Sequence, residues 1–264
     1  MKLQVLVSTM NQNDYSLLER MNIQSDAIII NQCDKDEVVT FNYKNHEIKW
    51  ISMSDRGIGI SRNVALFNAT ADFILFADDD LTYEDGYAKE VIKAFETNIK
   101  ADVICFNIRL INSNKNIGGH RENMKCKKLH LFNSMRYGAT LIGARRKSLL
   151  RERIEFSLLF GGGATFNSGE DSIFIRDCLH AGLKLYSHTY CLGNVEDSQS
   201  SWYKGINDKF FRDRGSAYYL ILPKLYILLF LYYAKKMAHL DEKYNIYRIF
   251  CLFMDGRKII RKYR

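Results

Sequence analysis

The chain has 264 residues, of which 47% are hydrophobic and 13% aromatic. This composition excludes an intrinsically disordered protein and allows a large core. The six cysteines are scattered without a C-x-x-C pair or a spacing suited to zinc, so we expect reduced thiols. The net charge is +8, and residues 235–264 alone hold nine Lys and Arg against three Asp and Glu. A nearly neutral body with a basic tail argues against nucleic acid and favours an anionic membrane surface.

The first half of the chain alternates predicted strands with predicted helices. Continuous apolar runs predict the strands at residues 3–7, 27–30, 48–52, 73–77 and 103–107. Helical spacing of apolar residues predicts helices at 14–21, with Asp14 as its cap, from the loop 55–63 to about 69, and at 85–95. This repetition predicts a mainly parallel sheet covered by helices on both faces, with ligands at the carboxyl ends of the strands.

The second half is less regular. Residues 111–135 are polar and basic, which predicts a long loop of the kind that often acts as a lid. A strand is predicted at 139–143, a helix at 172–181 and a short strand at 183–186. The chain begins with a strand-like run and shows no secretory signal pattern, so we expect a cytoplasmic protein.

Residues 217–234 form an apolar and tyrosine-rich run that only Pro223 and Lys224 interrupt. Three interpretations stay open: a segment lying in a membrane interface, a buried core helix, or a membrane-spanning helix. About ten uninterrupted positions are too few for a span. The tyrosines and the Lys235-Lys236 flank suit the headgroup region, which favours the interfacial interpretation.

Three adjacent carboxylates, Asp78-Asp79-Asp80, follow the predicted strand 73–77. Because these charges repel one another, they favour a bound hard cation such as Mg²⁺ or Mn²⁺, which accepts carboxylate and diphosphate oxygens. The alternative is a solvated turn or a helix start, where acidic residues are also common.

A second acidic group, Gly169-Glu170-Asp171, opens a predicted helix about 90 residues further on. A carboxylate there is a candidate general base that accepts a proton from an attacking hydroxyl. The alternative is an ordinary helix start, capped by Ser168 and carrying acidic residues in its first turn.

Four segments in order resemble the motifs of the family 2 glycosyltransferases. Val7-Ser8-Thr9-Met10-Asn11 resembles the first nucleotide-contacting loop, and Arg56-Gly57 with Ser61-Arg62-Asn63 resembles the G-x-S-x-x-R-N segment. Phe76-Ala77-Asp78-Asp79-Asp80 matches the D-x-D motif, and Gly169-Glu170-Asp171 the E-D motif. The resemblance covers about residues 1–205 and extends to bacterial surface-polysaccharide glycosyltransferases. It implies the α/β GT-A fold, with a Rossmann-like, mainly parallel central sheet flanked by helices, here followed by a helical, membrane-associating tail.

The resemblance also implies a role for each matching residue. Contacts to the nucleotide sugar would come from Ser8, Thr9, Asn11, Gln32, Asp34, Arg62, Asp78 and Asp79. Asp80 would ligate Mn²⁺ or Mg²⁺, with Asp78 as a second contact, and Asp171 would be the catalytic base. Glu170 and Trp202 would bind the acceptor. The processive Q-x-x-R-W motif is incomplete, since Gln199-Ser200-Ser201-Trp202 lacks the arginine.

The resulting prediction is an inverting transfer of one sugar from a nucleotide sugar, preferably a UDP-sugar, to a lipid-linked or free saccharide in surface-polysaccharide synthesis. Residues 1–110 would bind the donor, 111–205 the acceptor, and 206–264 would hold the enzyme on the inner face of the membrane. One alternative is a nucleotidyltransferase, although residues 8–14 lack the expected glycine and lysine. The other is a non-catalytic protein that binds saccharide or membrane on the same fold.

Overall fold

A computed structural model describes residues 1–111, 122–196 and 205–263. The strands are β1 (Leu3–Met10), β2 (Asp26–Gln32), β3 (Glu37–Tyr43), β4 (His46–Met53), β5 (Phe73–Asp78), β6 (Leu81–Tyr83), β7 (Val103–Ile111), β8 (Lys127–Lys128), β9 (Ile142–Arg145) and β10 (Leu185–Glu196). The helices are α1 (Leu17–Arg20), α2 (Ile58–Asn68), α3 (Tyr87–Thr97), α4 (Leu131–Ser134), α5 (Arg146–Arg151), α6 (Glu170–His180), α7 (Asp208–Ile221), α8 (Tyr226–Met237) and α9 (Ile246–Ile260).

One sheet organises the body of the molecule. Its strand order is β3-β4-β2-β1-β5-β9-β7-β10-β6, with β8 also paired to β10. The run 27–30 in β2 is fully buried, as expected for a strand covered on both faces. Strands β4, β2, β1 and β5 are parallel neighbours, so their polar carboxyl ends lie at the same edge.

The sheet is mixed, with parallel pairing at its centre as predicted and antiparallel strands added to it. The parallel pairs are β1–β2, β1–β5, β2–β4 and β7–β10. Strand β9 lies antiparallel between β5 and β7, and β3, β6 and β8 add antiparallel pairs nearer the margins. The α/β fold class with helices flanking a central sheet is confirmed.

Several elements differ from the predicted ones. The helix predicted at 14–21 is the short α1, because Asp14 accepts a hydrogen bond from the Ser16 amide and holds a turn before it. Strands β3 and β6 were not predicted. The strand predicted at 139–143 begins later, as β9, after a 3₁₀ turn. The predicted loop 111–135 contains β8 and α4, and its residues 112–121 lie outside the described part of the chain.

The tail consists of three helices, α7, α8 and α9, around a second hydrophobic cluster. This cluster also contains Phe160, Phe166 and Ile173 from the body, so the tail packs on the sheet domain. The apolar run 217–234 is divided between the end of α7 and most of α8 by the turn at Pro223. In the described residues, none of the helices combines the length and the apolar character needed to cross a membrane.

Candidate active site

The predicted nucleotide-binding residues meet at the carboxyl edge of the parallel strands. Register places Ser8 of β1 beside Asp78 of β5, and Gln32 of β2 beside the end of β1. Ser8 is buried and accepts a hydrogen bond from the Ser61 hydroxyl at 2.8 Å. The Thr9 hydroxyl donates to Oδ2 of Asp79 at 2.5 Å. The first loop and the acidic cluster are therefore in direct contact.

A second group of predicted residues surrounds Arg56. Its guanidinium donates to the Gln32 carbonyl at 2.6 Å, to Asp34 at 2.6 Å and to Asn11 at 3.4 Å. The Gln32 side chain accepts from the Gly57 amide at 2.6 Å, where a φ of 132° requires glycine. Sequence reasoning quoted Arg56 as part of a motif without placing it in the site. The structure makes it the centre of this group.

Arg62 joins the two acidic groups, which are far apart in sequence. Its side chain is only 4% exposed, and it donates to Asp78 at 3.1 Å and to Asp171 at 2.8 Å. The Glu170 carboxylate lies 3.6 Å from the same guanidinium. The guanidinium also lies over the Phe156 ring, with 5.1 Å to the ring centre. Asp78, Glu170 and Asp171 therefore share one buried cation.

One arginine does not balance three carboxylates, and the pKa values reflect this. Burial and the neighbouring Asp171 raise the pKa of Glu170 to about 7, against the opposing effect of Arg62. Burial also raises the pKa of Asp171, again opposed by Arg62. Burial would lower the pKa of Arg62, but the charges of Asp78, Asp171 and Glu170 raise it above its usual value. Arg62 therefore stays charged, while Glu170 and Asp171 hold protons more tightly than free carboxylates do.

Asp80 is the carboxylate of the cluster with the clearest excess of negative charge. Burial, then the charges of Asp78 and Asp79, raise its pKa to about 6. Across residues 1–111, 122–196 and 205–263, no group of three or more His, Cys, Asp or Glu side chains is placed to hold a metal ion. Mg²⁺-type sites on nucleotide substrates need only one or two protein carboxylates, because phosphate oxygens and water complete the shell. The hard oxygen donors and the uncompensated charge fit such an ion.

Glu170 and Asp171 also line a cavity of about 270 Å³. Its other walls come from the segment 135–138, the residues just before α6, and one face of α7. None of Asp78, Asp79 and Asp80 lines this cavity. The candidate base Asp171 therefore lines the cavity and also contacts Arg62, which holds Asp78.

Trp202, predicted to bind the acceptor, lies outside the described residues. The structure brings Ser8, Thr9, Asn11, Gln32, Asp34, Arg62 and the three aspartates to one edge, and links Glu170 and Asp171 to them through Arg62. The role of each residue remains a prediction.

A protein-family model and several solved structures resemble this chain. The model of glycosyl transferase family 2 matches residues 5–179, which is more than half of the chain. Among curated proteins, no match is found. The regions that carry the four motifs all lie within the matched residues.

Solved structures share the fold at low sequence identity. S. aureus TarS 1–349 in complex with UDP-GlcNAc has a TM-score of 0.66 and 15% identity, over 92% of this chain and 74% of that one. The chain spans 44% of a longer TarS chain, with a TM-score of 0.63 and 15% identity over 92% of its own length. The mannosyltransferase PcManGT from Pyrobaculum calidifontis, in complex with GDP-Man and Mn²⁺, has a TM-score of 0.51 and 10% identity over 98% of this chain and 86% of that one. With the family match, these likenesses place the chain in glycosyl transferase family 2, with the GT-A fold.

Proposed function

We propose that this glycosyltransferase moves one sugar from a UDP-sugar to a saccharide acceptor with inversion at the anomeric carbon. The observation that carries the proposal is the double contact of buried Arg62 with Asp78 and Asp171. This contact holds a strand-end carboxylate cluster, suited to a metal ion that binds a diphosphate, beside a carboxylate that is suited to deprotonate a hydroxyl. The transfer needs both groups within reach of one sugar ring.

The donor would bind along the carboxyl edge of β1, β2 and β5. Arg56 orders Asn11, Gln32 and Asp34 into one polar wall, which suits a base and a ribose. Towards the diphosphate this wall would continue through Ser8, Thr9, Asp78 and Asp79. Arg62 holds Asp78 in place by a hydrogen bond. Asp80, with Asp78, would hold Mn²⁺ or Mg²⁺, which neutralises charge on a leaving diphosphate. The TarS and PcManGT complexes contain UDP-GlcNAc, and GDP-Man with Mn²⁺, which supports this assignment by analogy.

The acceptor would enter from the other side of Asp171. Its hydroxyl oxygen attacks the anomeric carbon, its proton passes to a carboxylate oxygen of Asp171, and UDP leaves from the opposite face. Burial raises the proton affinity of Asp171, while Arg62 limits that rise and orients the carboxylate. Glu170, at the start of α6, would contact the acceptor, and Trp202 would pack on its ring.

The donor and metal assignments can be tested by calorimetry of UDP binding. We expect Mn²⁺ to strengthen UDP binding to the wild type and to have little effect on Asp80→Ala. Asp55→Ala is the matched control, because Asp55 is an exposed loop carboxylate of equal charge. Equal enhancement by Mn²⁺ in the wild type and in Asp80→Ala would refute the metal assignment.

The reaction can be tested with a panel of UDP-sugars and saccharides. We expect Asp171→Asn to lose transfer by roughly 10²- to 10⁴-fold while it keeps UDP affinity, because only the proton acceptor is removed. A nucleotidyltransferase would instead consume a nucleoside triphosphate and release pyrophosphate, and a binding protein would release neither product. Detection of UDP release that depends on the acceptor separates the three functions.

We further propose that the tail contacts the inner face of an anionic cell membrane. A lipid-linked acceptor of surface-polysaccharide synthesis would be available there. Helix α8 buries Phe230 and Ala234 but exposes Leu228 (63%) and Tyr232 (60%) on its outer side. The other exposed apolar residues of this face are Leu225, Ile227 and Leu231. Lys224, Lys235 and Lys236 at the two ends of the face are exposed. An apolar face with lysines at both ends suits the headgroup region of anionic lipids.

This contact is tested by flotation with phosphatidylserine-containing liposomes. The double variant Leu228→Ser with Leu231→Ser should lose binding, and Lys235→Gln with Lys236→Gln should bind less at low salt. Val38→Ser with Phe67→Ser is the control, because both side chains are exposed apolar groups elsewhere on the molecule. Unchanged flotation of the α8 variants would leave the tail as a packing element only.

A further inference from the structure

The cavity beside Asp171 is lined by charged side chains of both signs. Arg136 from the segment before β9 and Arg214 from α7 both line it, together with Glu170 and Asp171. The two carboxylates are already engaged by Arg62, which does not line the cavity. Of the two arginines, Arg136 already donates to Asn123 and to the Tyr137 hydroxyl, which leaves Arg214 as the candidate to bind a ligand.

Among the described residues, Arg214 forms no ion pair and is held by an aromatic ring and a hydroxyl. Its guanidinium lies over the Phe210 ring, with 4.3 Å to the ring centre, and it is hydrogen-bonded to the Tyr218 side chain. Its Nε atom is buried and has no hydrogen-bond partner within the part of the chain that the structure describes. The neighbouring Asp213 accepts from Lys209 and from the Asn167 amide. Because the Nε atom is fully buried, a ligand in the cavity would meet the terminal nitrogens of Arg214, which lines the cavity.

The remaining lining fits a sugar ring or a similar apolar surface. Tyr218 and Ile221 supply an aromatic and an aliphatic wall on α7, and Gly138 approaches the Asp171 carboxylate closely. A Cβ at Gly138 would stand 3.4 Å from Oδ2 of Asp171, an ordinary van der Waals contact. A ligand in the cavity can thus lie against α7 with one group near Arg214 and another near Asp171.

We propose that the acceptor of this enzyme carries a negatively charged group, a phosphate or a carboxylate, and that Arg214 binds it. This inference rests on the proposed function and adds the chemical class of the acceptor. Within this proposal the charged group belongs to the acceptor, since Asp78, Asp79 and Asp80, which are proposed for the donor and its metal, do not line the cavity. Arg214 lies beyond residues 5–179, so the acceptor class is set by a helix outside the family-matched region.

The experiment measures binding of small anions to the full chain by ligand-observed NMR, with and without saturating UDP and Mn²⁺. The probes are methyl phosphate, glucuronate and, as a neutral control, methyl glucoside. The variants are Arg214→Gln, Arg214→Lys and the matched control Arg212→Gln, whose side chain is on the same helix but does not line the cavity. Circular dichroism checks that each variant is folded.

We expect at least one anion to bind the UDP-saturated wild type and the Arg212→Gln variant equally, and methyl glucoside to bind more weakly. Arg214→Gln should weaken anion binding about tenfold or more. Arg214→Lys should recover part of the lost affinity, because lysine keeps the positive charge but lacks the planar pair of N–H donors. The tighter probe identifies phosphate or carboxylate as the source of the charge.

Several results would overturn the inference. One is that neither anion binds, and another is that the anion binds equally to the wild type and to Arg214→Gln. A third is full competition between the anion and UDP, which would assign the charge to the donor site. Failure of UDP itself to bind would count against the proposed function and not against the anion site, because the probes are also titrated without UDP.

Discussion

Arg62 interacts with three carboxylates through a single buried guanidinium. It is almost fully buried, yet Asp78, Glu170 and Asp171 all lie within 3.6 Å of its guanidinium. A planar guanidinium can donate to two carboxylates in different directions at once, which a lysine ammonium on a flexible stem does less well. The same contact that orients the candidate base also anchors a strand-end aspartate.

We predict that Arg62→Gln destabilises the fold by about 3–5 kcal/mol, because it leaves buried carboxylates without their cation. Arg62→Lys should recover only part of this loss. Urea unfolding measures both changes. In a double-mutant cycle, adding Asp171→Asn to Arg62→Gln should cost less than the sum of the single changes, by about 1 kcal/mol or more. Strict additivity would contradict the shared-cation interpretation.

Asp80 illustrates the opposite situation, in which a charge opposes folding. Its pKa in the metal-free protein is about 6, above the ordinary 3.8, so the folded state holds the proton more tightly than the unfolded state. Stability from this group is therefore present below pH 4 and is lost as pH rises to about 6. A shift of about two pKa units corresponds to at most about 3 kcal/mol, and partial solvation reduces it.

We predict that Asp80→Asn stabilises the metal-free protein by about 1–2 kcal/mol at pH 8 and has little effect at pH 4. The free energy of unfolding at the two pH values measures this. Asp55→Asn, which removes an exposed carboxylate, should change neither value appreciably. If the Asp80→Asn variant is equally stabilised at pH 4 and pH 8, the excess charge at this site is not the cause.

At the scale of elements, sequence patterns predicted the buried strands of the parallel half and the polar edge where they end. Strand β2 and strand β5 are continuous apolar runs whose burial needs no information from distant residues. The hairpin of β3 and β4 was missed because its turn contains no glycine. Lys44 and Asn45 adopt the positive φ values that a tight hairpin turn requires. Strand β6 has three residues and exists only through its pairing with β10.

The site was predictable to the same extent. Strand ends identified Ser8, Gln32 and Asp78 because adjacent parallel strands share an edge. The contact between Arg62 and Asp171 was not predictable, since it joins residues 109 positions apart through the packing of α2 against the start of α6. Arg214 was missed for the same reason, because its position beside Asp171 depends on how α7 crosses α6.

The junction of α6 and α7 depends on Gly169. Its φ is 122°, and a Cβ there would stand 2.6 Å from the Ala217 Cβ of α7. We predict that Gly169→Ala destabilises the protein by roughly 2–4 kcal/mol, through backbone strain and the displacement of α7. Gly86→Ala is the control, because its φ of 75° is also positive but its Cβ would meet open space.

Thermal and urea unfolding of both variants measure the difference. Gly86→Ala should cost only about 1 kcal/mol, the price of the left-handed conformation. The excess loss in Gly169→Ala combines the greater backbone strain at a φ of 122° with the contact to α7. If the two variants are equally destabilised, close packing of α7 on α6 does not contribute.

On the scale of the whole molecule, the sheet domain and the helical tail share hydrophobic contacts. Phe160, Phe166 and Ile173 precede the tail in sequence but belong to the same cluster as Phe211 and Phe253. Close backbone contact adds to this packing, since Gly215 on α7 lies against the Phe253 backbone of α9. Removal of the tail would therefore expose apolar residues of the body, and a truncation would confuse loss of folding with loss of membrane binding.

We therefore predict that body and tail unfold together. Trp50 lies buried in β4, far along the sheet from α7–α9, so its fluorescence reports the body once Trp202→Phe removes the second tryptophan. Far-UV circular dichroism includes the three tail helices. Because the shared cluster couples the two regions, the urea midpoints of the two signals should coincide.

Two variants test this coupling. The surface variant Leu228→Ser with Leu231→Ser should leave the common midpoint nearly unchanged, since those side chains are exposed. Phe253→Ala should lower both midpoints together, because it removes a fully buried ring. Loss of the helical signal at a lower urea concentration than the Trp50 signal would show instead that the tail folds as an independent unit.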